Sequence, residues 1–146
     1  MSFLNLQASY FAIENPLRLV GRWVNRPRHH ATVRINQREV ELGWSERAEV
    51  EMRRSDRTLV VELQLYFSCV VKKRVSFHRQ PVDFETVRVN HRLQLAFRPI
   101  ASAICDPREF AESYPAGREL TAAARMVPRK VQIDYRQGHW EGHFQY

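Results

Sequence analysis

From residue 31 to residue 98 apolar side chains recur mostly at every second position. That is the period of a half-buried strand, whose successive side chains point to opposite faces. Val33 and Ile35, then Val40 and Leu42, bracket the polar run Asn36-Gln37-Arg38, which predicts a hairpin. Ala48, Val50 and Met52 alternate with Glu49, Glu51 and Arg53, and Leu59, Val61, Leu63, Leu65 and Phe67 follow on one face, so a second and longer hairpin is expected there. A further strand is expected from Val70 to Phe77, bent near Ser68-Cys69.

One stretch repeats. Thr32-Val-Arg-Ile-Asn-Gln-Arg38 returns as Thr86-Val-Arg-Val-Asn-His-Arg92, and both copies run on into alternating apolar residues. One hairpin design used twice would produce this; so would the shared preference of Thr, Val and Ile for strands and of Asn for turns.

After Pro99 the pattern becomes helical. Asp106, Pro107 and Glu109 suit the N-cap, first and capping-box positions, and Arg118 to Met126 resumes the helix until Pro128 stops it. Val131, Ile133 and Tyr135 return to strand periodicity, Arg136-Gln137-Gly138 turns, and Trp140, Phe144 and Tyr146 share a face on the way back. The first 15 residues fit a helix or a strand equally. The expected fold is therefore mainly β: an antiparallel sandwich or partly open barrel of about seven to nine hairpin-built strands, with a helical insertion near residues 106–126. With 146 residues, the chain is expected to form one β-rich domain, 1–146.

Composition narrows the function classes. An apolar share of 44% fits a globular chain, and no apolar run approaches the roughly 20 residues of a membrane span. The N-terminal stretch lacks the pattern of a secretory signal, and two cysteines, Cys69 and Cys105, are too few for a disulfide framework. A cytoplasmic location is expected, with both cysteines serving as small buried apolar residues. Five glycines supply no phosphate-cradling loop, dinucleotide fingerprint or nucleophile elbow, so no cofactor is expected and an enzyme is the less favoured class.

The net charge is +7, and the basic excess is almost wholly arginine, 20 Arg to 3 Lys. Guanidinium groups grip carboxylates and phosphates bidentately and stack on rings. Arg22, Arg26, Arg28 and His29 form a basic loop able to hold an anion or an acidic surface, while Arg34 and Arg38 decorate the first hairpin. Lys72, Lys73 and Arg74 make the densest cationic run. Trp23 and Trp44 flank the first hairpin, and Trp and Arg are enriched where interface energy concentrates. These residues point first to a non-enzymatic binding or accessory module that docks on a protein partner or on a second copy of itself.

The alternative is a single-stranded nucleic-acid platform built on Arg28, Arg34, Arg38, Lys72, Lys73 and Arg74, although Glu39, Glu41, Glu46, Glu49 and Glu51 interrupt any cationic stripe. A third reading takes His139, Glu141 and His143, which fall on one strand face, as ligands of zinc or iron in a metal-dependent enzyme.

Overall fold

A computed structural model describes residues 27–102 and 117–146. In chain order the elements are β1 (His29–Ile35), β2 (Arg38–Trp44), α1 (Glu46–Arg53), β3 (Leu59–Phe67), β4 (Val71–His78), β5 (Val87–Arg88) and β6 (Leu93–Ser102). Then come β7 (Gly117–Glu119), a single 3-10 turn (Thr121–Ala123), β8 (Lys130–Arg136) and β9 (His139–Gln145). The fold is mainly β and sandwich-like. One sheet has the order β1-β2-β8-β9, the other β4-β3-β6-β5, with β7 also paired to β6. Among the described residues no helix is long and apolar enough to cross a membrane.

The sheets are mixed, whereas an antiparallel sandwich was expected. Each joins two antiparallel units through one parallel contact: β2 runs parallel to β8, and β3 parallel to β6. The reason is an exchange of partners. β1-β2 does not pair with the next hairpin, β3-β4, but with the last, β8-β9; β3-β4 pairs with β5-β6. The strand orders of the two sheets correspond when β1 is exchanged with β5, β2 with β6, β3 with β8, and β4 with β9. Corner contacts fit this relation, because β1 meets β5 at one corner and β4 meets β9 at the other. Gly142 permits the second approach: a Cβ there would fall 2.8 Å from Val75 Cγ1 and 3.0 Å from Phe77 Cζ.

The repeated heptapeptide occupies equivalent places, yet its two copies turn differently. Asn36 and Gln37 both have positive φ, 49° and 69°, in a two-residue turn that sets Ile35 opposite Arg38. In the second copy the amides of Val89 and Asn90 both bond to Leu93 O, and the Arg92 amide to Asn90 Oδ1, which gives a three-residue turn. The strand after each copy decides its turn. Val40 and Leu42 must face the core in β2, but Leu93 and Leu95 must do so in β6, one position out of phase. A one-residue change in the loop restores the burial of each strand.

Residues 46–53 form a helix, not the strand predicted from Ala48, Val50 and Met52. Ser45 is the N-cap, its Oγ accepting from Ala48 N at 3.1 Å, with Glu46 and Glu49 in the first turn and Arg53 in the last. Ala48 and Met52, four residues apart, are fully buried, while Val50 is 44% exposed. Only a helix separates them so. The helix packs on β8 and closes one end of the sandwich. Of the expected insertion, residues 117–126 hold β7 and the 3-10 turn; residues 103–116, with Cys105, lie outside the described residues.

Candidate functional site

Strand alternation separates the run Lys72-Lys73-Arg74 instead of presenting it as one patch. Lys72 and Arg74 lie on the outer face of the second sheet beside Tyr66, and Lys72 is 2% exposed. Burial, then the charge of Arg74, holds the Lys72 ammonium below its ordinary pKa. Lys73 turns to the opposite side, donating to Phe144 O at 3.2 Å with its ammonium 5.5 Å from that ring.

The basic loop is only partly described: Arg22, Trp23 and Arg26 lie outside the described residues. His29 does not face an external anion. Its ring stacks on Trp44 and its Nε2 meets Glu46 Oε2 at 2.7 Å, and this hydrogen bond is the main cause of the lowered Glu46 pKa. Arg28 bonds through its amide to Trp44 O. Trp44, expected as an exposed anchor, is 5% exposed because it faces inward opposite Ile133, and its Nε1 donates to Glu49 Oε2. Cys69, expected to be a buried thiol, is exposed and disulfide-bonded.

His139, Glu141 and His143 share the outer face of β9, on the side away from buried Phe144. Alternate residues advance about 6.8 Å along a strand, so a straight one keeps three such side chains from a common ion. Among the described residues no group of three or more His, Cys, Asp or Glu side chains could hold a metal.

A polar cluster that the sequence pattern does not reveal lies on the outer face of the second sheet. Glu62, 2% exposed, accepts at Oε2 from Gln64 Nε2 at 2.8 Å and Arg98 NH1 at 3.1 Å, and its Oε1 lies 2.8 Å from His78 Nε2. Phe84 inserts between its partners, with Arg98 4.7 Å above the ring and His78 edge-on to it. Both carboxylate oxygens are thus engaged, and the cluster clasps β3, β4, β6 and the Phe84 loop together.

The end of the sandwich opposite α1 differs. Here the β1-β2 turn, the segment 123–130 and the end of β9 converge, because Asn36 Nδ2 donates to Ala124 O at 2.6 Å and Arg129 bridges two strands. Its carbonyl accepts from Glu41 N and its amide donates to Gln145 O, both at 2.8 Å. A groove of about 550 Å³ opens between Thr32, Arg38, Glu39 and Glu41 on one side and Val127, Arg129 and Lys130 on the other. Arg34 stands opposite Glu39 of the lining in the strand register, and Arg125 follows Ala124, which Asn36 reaches.

Five exposed cations therefore meet two carboxylates. Lys130 lies 3.9 Å from Glu41, while among the described residues no ion pair or side-chain hydrogen bond engages Arg34, Arg38, Arg125 or Arg129. Met126, 45% exposed, directly precedes Val127 of the groove lining, and Tyr146, 56% exposed, is tied to Met126. The Tyr146 hydroxyl donates to Met126 O at 2.8 Å and its ring meets Phe144 edge-on, so the side chain is held in place. Although the residue as a whole is exposed, desolvation at its hydroxyl end, held against Met126 O, pushes the phenol pKa up to about 12.

Arg34 and Arg38 were legible as outward-facing cations. Arg125, Arg129, Lys130, Met126 and Tyr146 were missed: the first four fall where a helix end and a strand start were read, and Tyr146 was assigned to the inward face. No protein-family model matches the chain, and no curated protein or solved structure is significantly similar to it.

Proposed function

We propose that the chain is a binding module that takes a polyanionic macromolecule at the end of the sandwich opposite α1. The observation that carries this reading is a groove lined by Arg38, Arg129 and Lys130, in which neither arginine has a side-chain partner among the described residues. An unpaired guanidinium on a low-dielectric body attracts carboxylates and phosphates and can bind them bidentately. Binding rather than catalysis is favoured because the best acid-base pair, Glu62 with His78, uses both carboxylate oxygens inside its own cluster.

Docking on a protein through tryptophans loses support, since Trp44 belongs to the core. The large apolar side chains exposed among the described residues are Val50, Met126 and Tyr146, little apolar surface for the centre of a stable interface. A protein partner would engage this end through an acidic segment. For location, the disulfide at Cys69 favours an oxidising compartment over the cytoplasm expected from the cysteine count.

Retention on immobilised heparin tests the placement. The triple variant Arg38→Ala, Arg129→Ala, Lys130→Ala should elute at clearly lower salt than the variant Arg53→Ala, Arg54→Ala, Arg57→Ala, which removes the same charge near α1. Equal elution of the two would show that net charge, not this groove, does the binding, and the proposal would fall.

A further inference from the structure

Resting on the polyanion reading, we infer that the groove takes single-stranded nucleic acid, with phosphates on the arginines and an unpaired base on Tyr146. The two carboxylates in the groove select among polyanions. Glu39 stands opposite Arg34, and Glu41 lies between Thr32 and Lys130 in the strand register. An acidic peptide or a polyphosphate chain brings only negative acceptors, and these would be set against Glu39 and Glu41. A nucleic acid alternates phosphates with bases whose exocyclic amino groups donate, and a carboxylate accepts from cytosine N4. Cation and carboxylate side by side suit that alternation.

Tyr146 points to a single strand. The residue is more than half exposed, while the hydroxyl bond to Met126 and the edge contact with Phe144 fix the plane of its ring. A fixed, exposed ring beside a cationic groove is a stacking platform, and stacking needs a base face that a duplex keeps hidden. Met126 extends the apolar surface next to the ring.

The test measures fluorescence anisotropy of a labelled twelve-nucleotide oligo-dC at low salt, with a twelve-base-pair duplex and a twelve-residue polyglutamate as further probes. Oligo-dC should bind more tightly than either. Tyr146→Ala should weaken it about 5- to 150-fold, and Tyr146→Phe, which keeps the ring, should restore most of the loss. Glu41→Gln should weaken oligo-dC and strengthen polyglutamate. Should Tyr146→Ala leave oligo-dC affinity unchanged, should Glu41→Gln strengthen both probes, or should polyglutamate or the duplex bind as well as oligo-dC, the inference is overturned while the polyanion reading stands. If no probe binds, both fall.

Discussion

Gln37 carries a conformation that few residues accept. Its φ of 69° lies in the left-handed region, next to Asn36 at 49°, and glycine is the usual second residue of such a turn. Gln37→Gly should therefore stabilise the protein by about 0.5–1 kcal/mol, since relief of the Cβ clash outweighs the added freedom of the unfolded chain. A thermal melt would show this as a rise of a few degrees; an unchanged or lower midpoint would mean that Gln37 is not held in the left-handed region. The corresponding turn of β8-β9 already has Gly138, at φ 79°.

Tyr146 supplies a second check. Its phenol ionises near 12 in the fold, above the ordinary 10.0, so the folded chain keeps a proton that the unfolded chain gives up. The associated stability is fully present below pH 10 and declines as pH rises toward 12. Titration of tyrosinate absorbance, compared with Tyr146→Phe, should lose a step near 12 and none near 10.

Among the elements, α1 teaches most about what a period can conceal. Ala48, Val50 and Met52 satisfy a two-residue alternation, but Ala48 and Met52 alone also satisfy a four-residue spacing, and burial chooses the latter. The deciding signal was present in Ser45 followed by Glu46 and Glu49, an N-cap with acidic residues in the first turn. Ser45 also donates to Asp134, which receives Arg47, so one hydroxyl both caps the helix and ties it to β8. Ser45→Ala should cost about 1–2 kcal/mol in denaturant unfolding. A cost near zero would mean that packing of Ala48 and Met52 alone holds α1. Hairpins β1-β2 and β8-β9 were legible in position, because their alternation and turn residues are local, whereas β3 and β4 were legible as strands but not as partners, the pattern pairing β3 with residues 48–53 instead. The turn of the second heptapeptide was not, since Leu93 and Leu95 set its length from outside the repeat.

Across the chain, alternation states which way a side chain faces but not which strand lies beside it. The exchange of hairpin partners between sheets, and with it both parallel contacts, therefore could not be read from the residues. The same limit applies to the groove. Arg34 and Arg38 stood out as exposed cations, yet their meeting with Arg125, Arg129 and Lys130 depends on Asn36 reaching Ala124 across 88 residues.

The disulfide at Cys69 is another non-local feature, and alkylation of native, non-reduced protein should leave Cys69 unlabelled. Labelling of two thiols would restore the cytoplasmic expectation.

Binding at the groove is tested most directly by the salt dependence of oligo-dC affinity. Four phosphates held by Arg34, Arg38, Arg129 and Lys130 correspond to a slope of log K against log salt of about −3, and each cation removed reduces it by about 0.7. Arg38→Ala with Arg129→Ala should bring the slope to about −1.4. A wild-type slope near zero, or one that the double variant leaves unchanged, would contradict binding of a nucleic-acid strand by these cations.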